Sequence, residues 1–300
     1  MKTVVFAYPG NESIAKEMCK RSDLEPGIAE WNFFPDGESK FRVHTKVENA
    51  SVVLVCSLDR PDQKLTRLYL FAQLLKSYGA KSICLVAPYL SYMRQDKVFS
   101  PGEGITAAYC AKLISSFADA LVTVDPHLHR INSLSEVFTI PCIKIHAATE
   151  LANYIKQHLT NVVLIGPDAE SEQWVSEVAA GIGCTFTVLE KVRKGDREVH
   201  ISMKHADRLP GKTIVLVDDI ISTGRTLIET VLHLNQLQLP APHCIAVHAV
   251  FAEDAYERLQ EAGAASIVTC STIAHKSNLI PLSHLYTEAI LDLQHQNPTL

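Results

Sequence analysis

The sequence predicts an α/β fold of two similar domains, each a mainly parallel sheet flanked by helices. Short apolar runs of strand length alternate with longer helical patterns along the chain, and strands separated by helices form parallel sheets covered on both faces. A chain of 300 residues with 47% hydrophobic content can bury about two such cores. We expect strands at Val4–Ala7, Val52–Cys56, Ile83–Ala87, Ala120–Val124, Val162–Ile165, Ile214–Val217, Cys244–Val250 and Ser266–Thr269.

The two halves of the chain share an internal sequence echo. Val53–Val55 recurs 162 positions later as Val215–Val217. The same offset relates Leu65 to Leu227, Leu75 to Leu237, Ile83 to Ile245 and Ala87 to Ala249. Parallel strands also reuse aliphatic residues by chance, but a constant offset over roughly 35 residues is typical of a duplication. We therefore predict domains at residues 1–146 and 147–300.

The composition excludes several classes of function. A net charge of -5 with dispersed basic residues provides no positive field for nucleic acid, and no stretch approaches the roughly 18 apolar residues of a membrane span. The eight cysteines show no C-x-x-C spacing and mostly lie in apolar runs, as core thiols of a reducing compartment do. We expect a cytoplasmic protein that binds neither nucleic acid nor a membrane.

The most informative segment is I-V-L-V-D-D-I-I-S-T-G-R-T, at Ile214–Thr226. A buried strand leads into two carboxylates, Asp218 and Asp219, and then into short hydroxyl side chains, a glycine and a helical pattern. The backbone N–H groups of such a turn and the positive end of the next helix bind an anion. A polar loop with a helix cap is the alternative. The candidate anion-binding residues are Ser222, Thr223, Gly224 and Thr226.

The two acids need a separate task, because carboxylates repel a phosphate. Ribose hydroxyl groups beside the phosphate, or a metal ion, would suit them. At the position of Asp218 the first half has Cys56, and S-L-D-R-P-D replaces the phosphate turn. Only the second half keeps the cradle, which leaves the first half free to bind another ligand.

Further polar motifs lie at, or beside, the predicted carboxyl ends of strands, where open parallel sheets bind ligands. They are F-P-D-G-E (Phe34–Glu38), Y-M-R-Q-D-K (Tyr92–Lys97), V-D-P-H-L-H-R (Val124–Arg130), L-I-G-P-D-A-E-S-E (Leu164–Glu172) and L-E-K-V-R-K-G-D-R-E-V (Leu189–Val199). Each alone is also compatible with an ordinary turn, a solvated charged loop, surface acids such as Glu170, or an exposed hairpin. Together they indicate two phosphorylated ligands, a divalent metal and mobile cations between them. The chain has no G-x-x-x-x-G-K-[ST] loop, since Ala206 replaces the first glycine.

Taken together, V-D-D-I-I-S-T-G-R-T, F-P-D-G-E, Y-M-R-Q-D-K, D-P-H and the E-K-V-R loop resemble the ribose-phosphate diphosphokinases, also called phosphoribosyl pyrophosphate synthetases. The resemblance runs from Ala7 to about residue 285 and implies two phosphoribosyltransferase-like domains. It implies transfer of the diphosphate of ATP to the C1 hydroxyl of ribose 5-phosphate, with Mg²⁺ as cofactor and AMP as the second product. It also implies a homo-oligomer, a dimer or a hexamer.

The resemblance assigns roles by position in the motifs. ATP would be bound, with the adenine contacts coming from a neighbouring subunit, by Phe34, Asp36, Glu38, Arg94, Gln95, Asp96 and Lys97. Ribose 5-phosphate would be bound through its hydroxyls by Asp218 and Asp219, and through its phosphate by Ser222, Thr223, Gly224, Arg225 and Thr226. The metal ligands would be His127 and Asp168, and the catalytic residues Lys191, Arg193 and His127.

Three positions depart from the family pattern. Arg225 replaces a small residue, so that it either points outward or adds a cation to the phosphate loop. Ser222 occupies a position that is often acidic, and Val47–Asn49 lacks the arginine and glycine of phosphate-activated members. We therefore place the chain nearer the branch that phosphate does not activate. The alternatives are a type I phosphoribosyltransferase and a non-catalytic regulatory paralogue.

Overall fold

The chain forms two compact units in the computed structural model. Unit 1 comprises Met1–Ile145 and Leu282–Leu300, and unit 2 comprises His146–Pro281. The structure gives only the backbone of residues 173, 190–194 and 198–203. The residues that it describes are 2–20, 23–128, 130–168, 171–194, 198–203 and 209–297.

Strands and helices alternate along most of the described chain. The strands are β1 (Thr3–Ala7), β2 (Leu24–Pro26), β3 (Ala29–Phe33), β4 (Ser39–Val43), β5 (Ser51–Val55), β6 (Ser82–Ala87), β7 (Ala120–Val124), β8 (Cys142–Ile145), β9 (Val162–Gly166), β10 (Thr185–Lys194), β11 (Glu198–Met203), β12 (Thr213–Ile221), β13 (His243–Ala249), β14 (Ser266–Cys270) and β15 (Asn278–Ile280). The helices are α1 (Glu12–Met18), α2 (Pro61–Ser77), α3 (Thr106–Ser115), α4 (Ala148–His158), α5 (Glu172–Ile182), α6 (Arg225–Gln236), α7 (Ala255–Glu261) and α8 (Ser283–Gln296). The predicted strands correspond to β1, β5, β6, β7, β9, β12, β13 and β14.

The main sheet of unit 1 is parallel. Within the described residues its strand order is β2-β1-β5-β6-β7-β8, and every neighbouring pair runs parallel. Strands β5 and β7 are buried along their whole length, as expected of aliphatic strands covered on both faces. Strands β3 and β4 form a separate antiparallel hairpin. The carboxyl ends of β1, β5, β6 and β7 therefore lie at one edge of the sheet. The Y-M-R-Q-D-K motif follows β6, and the D-P-H segment follows β7.

The sheet of unit 2 repeats the centre of this arrangement. Its described strands have the order β11-β10-β9-β12-β13-β14-β15, and β10 and β11 form the antiparallel pair. Strands β5 and β12 begin 162 positions apart, at Ser51 and Thr213, and hold the second place in β1-β5-β6-β7 and β9-β12-β13-β14. The predicted α/β class, with two similar and mainly parallel sheets, is confirmed.

Helix α8 lies in unit 1, although the sequence analysis places residues 147–300 in the second domain. Its side chains Tyr286, Ile290 and Leu293 are buried, and the helix contacts α1, β7 and β8. Gln294 Nε2 also donates to Thr3 Oγ1 over 2.9 Å. The prediction is wrong for this helix because an apolar face shows that a helix is covered, but not which sheet it covers.

The cysteines are free thiols, as the spacing predicts. Cys56, Cys110, Cys244 and Cys270 are buried, and burial raises the pKa of Cys244 to about 12. Such thiols act as small core residues. None of the described helices combines the length and the apolar character needed to cross a membrane.

Candidate active site

The acid pair lies inside strand β12, near its carboxyl end. Asp218 is opposite Ala246 of β13, and the pairing continues as far as Ile221, so the strand extends beyond the apolar run that predicted it. Burial, then the Asp219 carboxylate, then that of Asp168 raise the pKa of Asp218 above its ordinary value. Carboxylates crowded in this way favour hydroxyl donors or a cation as their ligand.

The turn from β12 into α6 consists of Ser222, Thr223 and Gly224. Gly224 has φ +65° and directly precedes the helix, and glycine adopts this left-handed conformation without strain. The first turn of α6 contains no acidic residue, and no side chain caps it in the described structure. Because the first N–H groups of a helix lack intrahelical acceptors, this end suits an anion.

Two hydrogen bonds hold the turn against the segment that follows β13. Phe251 N donates to the carbonyl of Ile221 at 2.8 Å, and Ala252 N donates to the carbonyl of Ser222 at 3.0 Å. These bonds fix the backbone of the turn beside that segment. The side chain of Arg225 is exposed, so both orientations that the sequence leaves open remain available to it.

Asp168 follows β9 and is half-buried. Its Oδ1 accepts from Ser171 N at 3.0 Å, and its carbonyl accepts from Ser171 Oγ at 2.7 Å. Within the described residues no group of three or more His, Cys, Asp or Glu side chains is arranged to hold a metal. Mg²⁺ commonly uses one or two carboxylates together with waters and substrate phosphates, and Asp168 with Asp218 fits that pattern. Glu170 lies outside the described residues.

The basic segment predicted as an exposed hairpin is an antiparallel hairpin of β10 and β11. In its backbone register Lys191 is opposite Ile201, and Arg193 is opposite Val199. The side chains of Lys191 and Arg193, and residues 195–197, lie outside the described part of the chain. Their catalytic role stays a prediction.

The F-P-D-G-E motif forms the tip of the β3–β4 hairpin. Phe34 N donates to the carbonyl of Glu38 at 2.8 Å, and Gly37 N donates to the carbonyl of Phe34 at 2.9 Å. Gly37 has φ +93°, which glycine permits. The side chains of Phe34, Asp36 and Glu38 are all exposed, so the tip presents one ring and two carboxylates to solvent.

The loop after β6 carries the predicted polyphosphate residues. Arg94 and Lys97 are exposed and are therefore accessible to phosphate oxygens. Gln95 Oε1 instead accepts from Thr106 Oγ1 at 2.9 Å, at the start of α3. The loop thus has two exposed cations, and Gln95 anchors it to α3.

Asp96 connects this loop to the one that follows β7. Its side chain is 2% exposed, and Oδ1 accepts from Arg130 Nη1 at 3.0 Å. Its Oδ2 also accepts from the backbone N of Arg130 at 3.2 Å. The resemblance predicts that Asp96 binds ATP, and it implies no role for Arg130. The available signal was an acid and an arginine after two neighbouring strands.

The D-P-H segment begins where the chain leaves β7. Asp125 is buried at φ +29°, a conformation that is uncommon for a non-glycine residue and often occurs at functional sites. His127 is half-buried, whereas His129 lies outside the described residues. His127 belongs to unit 1 and Asp168 to unit 2, so their joint action on a metal stays a prediction.

Comparisons with known proteins cover nearly the whole chain. Residues 3–117 match the N-terminal domain of ribose phosphate pyrophosphokinase, and residues 133–287 match the phosphoribosyl transferase domain. A ribose-phosphate pyrophosphokinase of Methanopyrus kandleri is 31% identical over 97% of this chain and 99% of its own length. One from Methanosarcina acetivorans is 33% identical over 95% of this chain and 98% of its own length.

A solved structure has the same fold. The phosphoribosylpyrophosphate synthetase of Mycobacterium smegmatis superposes with a TM-score of 0.85 at 24% identity, covering 99% of this chain and 100% of its own. This likeness extends the two-domain phosphoribosyltransferase-like fold over the whole chain. From the two domain matches and the full-length relatives, the chain belongs to the ribose-phosphate pyrophosphokinase family.

Proposed function

We propose that this protein transfers the β,γ-diphosphate of ATP to the C1 hydroxyl of ribose 5-phosphate, producing 5-phosphoribosyl 1-diphosphate and AMP. Family membership supports the diphosphotransferase activity. The observation that carries the acceptor is the acid pair beside an uncapped helix N-terminus in unit 2. A sugar phosphate has hydroxyl groups for the acid pair and a negatively charged phosphate for the helix N-terminus.

On the acceptor side, Asp218 and Asp219 accept hydrogen bonds from the ribose 2- and 3-hydroxyls. The backbone of Ser222–Thr226 binds the 5-phosphate at the start of α6. The half-buried carboxylates favour neutral hydroxyl donors, because a sugar hydroxyl satisfies their lone pairs without a second anion. The substrate is thereby held at both ends while its C1 hydroxyl stays free to react.

On the donor side, the β3–β4 tip recognises adenine and the loop after β6 binds the phosphates. The Phe34 ring offers a stacking surface, and Asp36 and Glu38 accept from the amino edge of the base. Arg94 and Lys97 bind phosphate oxygens. Lys191 and Arg193 stabilise the charge that develops during transfer. Diphosphoryl transfer depends on alignment and charge neutralisation more than on a covalent intermediate.

Mg²⁺ fits the donor set of this chain. Asp168 would supply a hard oxygen ligand beside the acid pair, and His127 is the second ligand that the resemblance implies. The metal, when bound, neutralises phosphate charge. The homo-oligomer, a cytoplasmic location and independence of phosphate activation are further parts of the proposal, and they rest on the resemblance and on the cysteine usage.

The test is a direct assay of the purified chain with ATP, Mg²⁺ and ribose 5-phosphate. We expect AMP and the 1-diphosphate in equal amounts, and none of either without ribose 5-phosphate. The Asp218→Asn, Asp219→Asn double variant is the matched control and should lack the activity. Formation of ADP in place of AMP would overturn the proposal.

The same assay separates the alternatives. A type I phosphoribosyltransferase would need a nucleobase and 5-phosphoribosyl 1-diphosphate, and would form no AMP from ATP and ribose 5-phosphate. A regulatory paralogue would show no turnover alone, yet Asp168, Asp218 and Asp219 are all present. The match of residues 3–117 to the family's N-terminal domain also favours the synthetase over a single-domain transferase.

A further inference from the structure

Arg67 of helix α2 is a buried cation enclosed by aromatic rings. It is 8% exposed, and its guanidinium carbon lies 4.0 Å from the centre of the Phe33 ring. The Trp31 and Phe41 rings lie 5.7 Å away, and the Tyr8 ring lies 5.5 Å away. Three of these four rings belong to the β3–β4 hairpin.

Hydrogen bonding does not explain why a cation occupies this position. Arg67 Nη1 donates to the Tyr8 hydroxyl at 3.3 Å, but Nε and Nη2 are buried without an acceptor among the described residues. A buried guanidinium with unsatisfied donors destabilises a fold, and an aliphatic side chain of similar volume often packs better. Arg67 therefore contributes through the positions of the rings that surround it.

The hairpin depends on side chains for its attachment. In the described structure β3 and β4 pair only with each other, and an isolated two-stranded hairpin is marginally stable. The Trp31 and Phe41 rings pack on Phe71 of α2, at 4.1 and 5.5 Å between centroids. Phe33 is different, since it is 57% exposed and has Arg67 beneath it. This last contact is the one nearest the tip.

We infer that Arg67 is a positioning residue for ATP, which sets the direction of the hairpin tip through its planar contact with Phe33. Successive side chains of a strand point to opposite faces, so holding Phe33 against α2 directs the adjacent Phe34 away from it. Asp36 and Glu38 follow in the same tight turn. The inference rests on the proposed function, which assigns this tip to adenine.

The experiment compares Arg67→Leu and Arg67→Lys with the wild type. Leucine removes the charge and the plane, and lysine keeps only the charge. We expect the KM for ATP to rise roughly tenfold in Arg67→Leu and less in Arg67→Lys, because a displaced tip loses its aligned contacts. The KM for ribose 5-phosphate should stay within about twofold of the wild-type value, since the variant does not change the residues that bind the acceptor. Gln73→Ala, at an exposed position of the same helix, should change neither value.

The melting temperature separates positioning from a structural role. Arg67→Leu should melt no lower than the wild type, because it removes an unsatisfied buried cation. An unchanged KM for ATP would overturn the inference, and so would a lower melting temperature with both KM values altered together. If Arg67→Leu does not fold, Arg67→Lys carries the same comparison. Calorimetric titration with ATP tests the inference even if the wild type forms no AMP, an outcome that would instead defeat the proposed function.

Discussion

The turns after β5 in unit 1 and after β12 in unit 2 follow equivalent strands but end in different chemistry. Both lead to a helix that is preceded by a left-handed residue, Arg60 at φ +49° and Gly224 at φ +65°. Helix α2 begins with Pro61, which has no N–H, and carries Asp62 in its first turn. Helix α6 has no acid there. The same frame therefore suits an anion only where the helix end keeps its donors and lacks an acid.

The matching positions Cys56 and Asp218 differ in the same sense. Cys56 is fully buried, and burial raises the pKa of its thiol, whereas Asp218 keeps a carboxylate at the matching place in unit 2. In unit 1 the turn is also closed by its own cation, since Lys64 Nζ donates to the carbonyl of Ser57 at 2.7 Å. Unit 1 thus has a lysine bound to this turn, and unit 2 has a pair of carboxylates before it.

The largest expected effect concerns Lys191 of β10, at an edge of the unit 2 sheet where the two units differ again. Unit 1 ends at the three-residue strand β2, and unit 2 extends β10 with β11. Lys191→Ala should lower kcat by about two orders of magnitude or more, as expected for lost transition-state charge stabilisation. ATP affinity, measured by calorimetry, should be nearly unchanged. The control is Lys156→Ala, which changes an exposed lysine of the same unit. Unchanged turnover in Lys191→Ala would show that Lys191 takes no part in the mechanism.

The second prediction tests the acid against its counterpart. Asp218→Asn should raise the KM for ribose 5-phosphate roughly 10- to 100-fold, because a charge-assisted hydrogen bond to a ribose hydroxyl is lost. Cys56→Ala changes the equivalent position of unit 1 and should leave this KM unaltered. Equal effects of the two variants would contradict the comparison.

The stability of Asp218→Asn gives an independent readout with a defined sign. The pKa of Asp218 is raised in the folded state, so its ionised form destabilises the fold, and this cost grows as the pH rises through the folded pKa. Asparagine removes the cost. The variant should therefore melt at least as high as the wild type at neutral pH. The difference should shrink as the pH falls from the folded pKa towards the ordinary range of a carboxyl, and it should be absent below that range.

Much of this frame could be predicted from the sequence, because aliphatic strands and the acid-hydroxyl-glycine order are local signals. Contacts between distant segments could not. The carboxylate of Asp96 is engaged by Arg130, 34 positions away, and Arg67 is enclosed by rings from a hairpin that precedes it. Helix α8 belongs to unit 1, although it follows the last strand of unit 2 in the chain. The topology of the fold decides which distant side chains come into contact, and the composition of the sequence does not predict those contacts.

Smaller effects on stability and on the KM for ribose 5-phosphate are expected from substituting the two left-handed residues, Gly224 and Arg60. Gly224→Ala should cost about 1–2 kcal/mol through φ alone, since an added Cβ would meet nothing closer than Ile228 Cδ1 at 3.5 Å. It should also raise the KM for ribose 5-phosphate. Arg60→Gly should relieve strain, raise the melting temperature by roughly 1–2 °C and leave that KM unchanged. A ribose 5-phosphate defect in Arg60→Gly would show that the first turn also takes part in acceptor binding.

The smallest expected effect is at Arg225, the first residue of α6. Its side chain is exposed, and we expect it to contribute a screened charge near the phosphate without a direct contact. Arg225→Ala should raise the KM for ribose 5-phosphate less than about threefold at low salt. The difference should disappear at high ionic strength, where charges beyond a short distance no longer interact. A tenfold or larger effect that persists in salt would mean that Arg225 turns inward to bind the phosphate. The turn after β12 would then have a cation of its own, as the turn after β5 has Lys64.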